Sequence, residues 1–213
     1  MDDKDGRAAF LSALTTEHFV LQTAASATVS ESASRASIYI LALSSSLVAM
    51  GFAVQSPEAF APFIASVLPA VFVLGLFTVI RLVDVTVENQ QYLRGIARIR
   101  GYYRTLTPEA AEYFAAEHGR WPEAPATPSL LLGRTIASLT TTGTMVAFIN
   151  AFVADAGVTL LAHRALGAGI GVALLLGAGT ALALVFAFYA YQNWRFRQFE
   201  PAEPAEGKGS RRS

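Results

Sequence analysis

FIASVLPAVFVLGLFTVIRLVDVTVENQQYLRGIARIRGYYRTL, Phe63 to Leu106, holds an uncharged apolar run up to Ile80 and then changes character at Arg81. Arg81, Asp84 and Glu88 occupy the first two turns after the run, followed by Arg94, Arg98, Arg100 and Arg104. A bilayer crossing takes roughly 20 apolar residues as a helix. The stretch therefore reads as a membrane span whose helix continues into water, since no proline stands between Ile80 and Thr107-Pro108.

Three further segments have the same length and character. With the first they make four spans, at 37–54, 60–80, 134–154 and 165–191. Ser44–Ser46 and Thr140–Thr142 dilute two of them, and hydroxyls there are expected to bond the carbonyl one turn back. Composition agrees: 53% of residues are hydrophobic, 15% are charged and mean hydropathy is +0.42, values foreign to an ordinary soluble domain. The start, MDDKDGR, carries no signal-peptide pattern. The expected fold is all-α, a polytopic membrane protein of four transmembrane helices with a cytoplasmic antiparallel helical stalk.

Orientation follows from Lys and Arg. Of sixteen such residues, fifteen fall in the N-terminal segment, the long middle loop and the C-terminal tail, and Arg164 alone lies between spans three and four. Positive residues stay inside, so both termini and the middle loop are assigned to the cytoplasm. Tyr189, Tyr191 and Trp194 suit an inner interfacial belt. The organisation becomes a cytoplasmic amphipathic helix over 1–36, a hairpin of spans over 37–80, and a cytoplasmic helix extension, short helix and Pro-rich linker over 81–133. A second hairpin over 134–191 and a disordered tail over 192–213 complete it. Thr107 is the expected N-cap of the short helix, with Pro108 its first residue.

At 100° per residue Val85, Tyr92, Ile96, Ile99 and Tyr103 share one face with Arg81 and Glu88. Phe10, Leu14, Leu21, Ala25, Thr28 and Ser32 recur at helical spacing before the first span. A tight outer turn makes these two extensions neighbours, each projecting roughly 35–45 Å. Matched depth pairs residue n with a residue near about 118 − n, which sets Arg35 beside Asp84. Arg35, Arg81, Asp84 and Glu88 are thus the candidate ion-pair collar. Asp84 and Glu88 repel across one turn unless a cation intervenes, so the collar reads either as interhelical ion pairs or as a cation site. Arg94, Arg100 and Arg104 point away from the seam, towards anionic headgroups or simply marking the inner side.

In span four, Gly169, Ala173, Gly177 and Ala181 recur at four-residue spacing, the candidate helix-packing seam. It serves either a homo-oligomer or packing within one chain. Asn150 and Asp155 are expected at the outer end of span three, in reach of interfacial water. No catalytic, cofactor-binding or metal-ligating set emerges. His18, His118 and His163 fall in three separate segments, and cysteine is absent. Zero formal net charge gives no case for nucleic acid. The expected partners are the lipid bilayer, a second copy of the chain, and a cytoplasmic protein at the stalk.

The stretch HFVLQTAASATVSESASRASIYI, a tight hairpin, and RLVDVTVENQQYLRGIARIRGYY resemble a group of uncharacterised bacterial four-span membrane proteins. The architecture is more distantly similar to SLATT-type membrane effectors, which have two spans followed by a cytoplasmic helix. That resemblance covers the first half of the chain. It implies a non-enzymatic protein of the bacterial cytoplasmic membrane that disturbs the bilayer when a partner signals. It transfers no catalytic residue, and a sensor domain has no counterpart here. A channel or transporter subunit, or a passive scaffold, would share the same sequence features.

Overall fold

The computed structural model describes residues 3–114 and 141–198, and every regular element among them is helical. Five helices follow one another: α1 (Asp3–Ala53), α2 (Pro57–Tyr103), α3 (Pro108–Tyr113), α4 (Thr142–Arg164) and α5 (Ile170–Gln198). All but α3 are long and apolar enough to cross a membrane.

Helix α1 is unbroken for 51 residues because neither glycine nor proline occurs between Arg7 and Met50. Its hydroxyls turn inward, as Thr23 Oγ1 donates to Phe19 O at 2.9 Å and Ser46 Oγ to Ala42 O at 2.7 Å. After a short turn, Pro57 opens α2, which runs 47 residues through Pro62 and Pro69. Helices of this length reach about 70–77 Å, more than twice a hydrocarbon core, so a long part of each extends past the apolar stretch.

The two helices pair along that extension. Ala25, Thr28, Val85, Ile96 and Ile99 are buried between them. Thr15 Oγ1 lies 3.4 Å from Tyr103 Oη, and a Cβ on Gly95 would stand 2.8 Å from Leu21 Cδ1. These pairs keep the expected register within about two residues. Nearer the apolar stretch Glu31 meets Arg81 rather than the neighbourhood of Val87, because the long guanidinium side chain reaches along the helix.

Helix α2 packs on α1 from one side and α4 from the other, and α4 packs on α5. Tyr39, Val71, Leu82, Val83, Val146, Val153 and Phe188 belong to the core they share. Outward faces of α1 and α5 carry Leu41, Phe52, Leu175, Leu182 and Phe186, each at least two-thirds exposed. Such surfaces suit a hydrocarbon solvent rather than water.

The boundaries of the last two spans differ from the sequence expectation. Helix α4 starts at Thr142, capped by Thr141 Oγ1 accepting from Thr144 N at 3.2 Å, and runs to Arg164. Thr141 side-chain bonding makes it a better cap than helix interior, so the helix lies some ten residues further towards Arg164 than a span ending at 154; residues 134–140 lie outside the described ones. Helix α5 continues to Gln198, so residues 192–198 are helical rather than tail. Nothing in that stretch breaks a helix before Pro201, and Arg195 is tied down by a carboxylate. Helix α3 begins as expected, with Thr107 Oγ1 accepting from Ala110 N at 3.2 Å, and it ends at Tyr113 with Phe114 as its C-cap.

Between α4 and α5, Gly167 adopts φ +66°, a left-handed conformation that glycine takes without strain. The chain then turns so that Ala168 N donates back to Ala162 O at 3.0 Å.

Candidate functional site

A ring of charge joins α1, α2 and α5 where the apolar stretches give way to the paired extensions. Arg81 is its centre. Its Nε and Nη2 donate to the two Glu31 carboxylate oxygens at 2.9 and 3.1 Å, and Nη1 donates to Glu88 Oε1 at 2.8 Å. Glu31 also accepts from Arg35 Nε at 2.7 Å. Two guanidinium groups beside one carboxylate, Arg81 first and Arg35 second, hold Glu31 down to about 2. Its two acidic partners in turn hold Arg81 more firmly protonated, Glu31 contributing more than Glu88.

Asp84 takes a different partner. It accepts from Arg195 Nε of α5 at 3.0 Å and from Nη2 as well. The expected pairing of Arg35 with Asp84 is therefore corrected. Asp84 sits about 60° round α2 from Arg81, which turns it from α1 towards α5. The four expected collar residues all belong to the ring, but Glu31 and Arg195 complete it. Three carboxylates face three guanidinium groups, Glu31, Asp84 and Glu88 against Arg35, Arg81 and Arg195. With each acid already bonded to an arginine, the repulsion that motivated a cation site at Asp84 and Glu88 is answered within the protein. No cluster of three metal-ligating side chains occurs among the described residues.

These pairs are about a quarter to a half exposed, so each contributes roughly 0.2–1 kcal/mol. Their use is geometric, since they lock α1, α2 and α5 in one register at one level.

Further along the extension, Arg104 Nε donates to Phe114 O at 2.9 Å, and Arg100 lies over the Phe114 ring at 5.7 Å. Both therefore serve to fold the α3 end back on α2. They stand about 29–35 Å along the axis from Arg81.

Above the ring, two polar contacts sit inside the apolar bundle. Tyr39 Oη donates to Asn150 Oδ1 at 3.3 Å, both side chains buried, and Gly75 makes room for them. A Cβ at Gly75 would overlap the Asn150 carboxamide and stand 2.8 Å from Tyr39 Cε2. Asn150 thus ties α1, α2 and α4 together instead of reaching outer interfacial water.

Asp155 also stands away from the expected outer end. Gly143 lies against Leu82 at the ring, 3.6 Å from Cβ to Cβ if glycine were substituted. Asp155 is about 18 Å further along α4, with about 14 Å of helix still to run to Arg164. It accepts from Thr159 Oγ1 at 3.3 Å, and Thr159 Oγ1 also reaches Ala173 O of α5 at 3.3 Å. A Cβ on Gly177 would overlap both Asp155 Oδ1 and Thr159 Oγ1.

The small residues of span four accordingly face α4 within the chain. Ala173 and Gly177 are buried, Ala181 is half-buried, and Gly169 is exposed and outside the contact. Of the two uses expected for that seam, packing within one chain is the one these contacts fill. No protein-family model, curated protein or solved structure matches the chain.

Proposed function

We propose that this chain is a non-enzymatic four-span protein of the bacterial cytoplasmic membrane, with both termini and the paired helix extensions in the cytoplasm. In this account it is a signal-coupled component, in which a cytoplasmic protein binds the stalk and the charge ring passes the resulting displacement to the spans. The observation that carries it is Arg81 bridging Glu31 of α1 and Glu88 of α2, beside Asp84 holding Arg195 of α5. Any partner that separates the extensions must break or re-pair these bonds, and the bonds stand where the apolar stretches begin. The asymmetry of Lys and Arg supports the orientation. The resemblance to SLATT-type effectors supports membrane disturbance as the output.

The test is expression together with the neighbouring genes. The wild-type chain should depolarise the cells and admit an impermeant dye. Arg81→Ala should weaken that response while leaving the protein in the membrane fraction. Cells that keep their potential and exclude dye under these conditions would replace this reading with that of a passive scaffold.

A channel or transporter subunit is favoured by a separate observation, the carboxyl of Asp155 inside the bundle.

A further inference from the structure

Asp155 is the one acid between Arg134 and Glu200. It lies well inside α4, on the face packed against α5. A carboxylate at such depth is costly unless something compensates it, and carboxylates kept there mark ion and proton sites. Arginine does not compensate this one: Asp155 has no basic partner among the described residues. Helix α5 carries no charged side chain from Ile170 to Trp194, and α2 none between Glu58 and Arg81.

The hydrogen bond from the Thr159 hydroxyl brings Asp155 to a second oxygen acceptor, on α5. The Thr159 hydroxyl has one proton and two acceptors at the same 3.3 Å, the Asp155 carboxylate and the Ala173 carbonyl. It serves one at a time, so that either the carboxylate loses its donor or the Ala173 carbonyl keeps only its helical one. The absent side chain of Gly177 leaves the space into which both Asp155 Oδ1 and Thr159 Oγ1 project. A positive ion of small radius satisfies all three oxygens at once.

The approach is also polar. Asp155, Thr159 and His163 recur every four residues along one face of α4, opposite Gly177, Ala173 and the turn before α5. His163 Nδ1 lies 2.9 Å from Ala168 O in that turn, at the exposed end of the bundle. The four-residue spacing of small residues on α5 then has a second use. It makes room for a row of polar side chains on α4.

We infer that Asp155, Thr159 and the Ala173 carbonyl bind a small monovalent metal cation, sodium, reached from the Arg164 end along the His163 side. The inference rests on the four-span reading, which thiol labelling of the outer turn tests independently.

The probe is dicyclohexylcarbodiimide, an apolar reagent that adds to a protonated carboxyl group and leaves a stable acylurea. Membrane vesicles holding the full chain are treated with and without sodium over a range of pH, and the adduct is located by peptide mass spectrometry. Asp155 should be the modified residue within the spans, and Asp155→Asn should abolish that adduct. Sodium should slow modification severalfold and potassium should not. Gly177→Ala, whose methyl fills the space, should remove the sodium dependence. Modification at the same rate with and without sodium in the wild type would overturn the inference. Size-exclusion chromatography establishes that each variant is folded. A folded wild-type protein without an Asp155 adduct would overturn the inference. So would equal modification by a water-soluble carbodiimide, which would mean that Asp155 simply stands in water.

Discussion

Arg195, in the last turn of α5, donates through Nε to Asp84 Oδ1 of α2 at 3.0 Å across 111 residues of sequence. This pair holds the C-terminal end of the bundle on the helix that carries the charge ring. Its partners are 23% and 29% exposed, so the bond is neither fully screened nor dry. Asp84→Arg or Arg195→Asp alone should lower the yield of folded, detergent-extracted protein. The two together should recover part of it, with a coupling of about 1 kcal/mol. Arg35→Asp should give no such recovery with Asp84→Arg, because Arg35 is bonded to Glu31 instead.

Removing Arg81 leaves Glu31 and Glu88 facing each other without the cation that bridges them. Arg81→Ala should lower Tm in detergent by more than Arg35→Ala, which leaves Arg81 on Glu31. Lysine at 81 should rescue only part of the loss, since one ammonium group does not reproduce a fork that spans two carboxylates.

The ring also fixes a pH window. Glu31 titrates at about 2 in the fold against 4.5 ordinarily, so the folded state favours its ionised form. Its contribution is complete above 4.5 and disappears as pH falls towards 2. Thermal stability of the wild type should fall through that interval, and Arg81→Ala should flatten the fall. An equal slope in both proteins would mean that other carboxylates set the acid limit.

Gly75→Leu should prevent folding, because its side chain enters the space of Asn150 and Tyr39. Tyr39→Phe keeps the volume and removes one hydrogen bond, at a cost of about 0.5–1.5 kcal/mol. Measured yields that rank Tyr39→Phe below Gly75→Leu would contradict this packing.

Much of the fold was legible because period and charge speak locally. The seam of Val85, Ile96 and Ile99 follows from 100° per residue, and the apolar helices from length alone. Glu31 carried a usable signal, standing four residues before Arg35 in the favourable order. Arg195 did not, since nothing local to it tells which face of α2 meets α5. Asp155 was misplaced for a clear reason. A hydropathy window ends at the first charge, whereas α4 runs through Asp155 to Arg164 because Gly177 on the neighbouring helix makes room for the carboxylate.

The most direct test of a four-span protein with its charge ring on the cytoplasmic side is single-cysteine labelling in intact cells. The natural chain has no cysteine to interfere. Ser56→Cys and Leu166→Cys lie in the two short turns, where both side chains are exposed. Both should react with a membrane-impermeant maleimide. Ser12→Cys and Thr107→Cys, on the exposed surface of the paired extensions, should react only after the cells are permeabilised. Reaction at position 12 in intact cells, with position 166 protected, would invert the orientation and contradict the account.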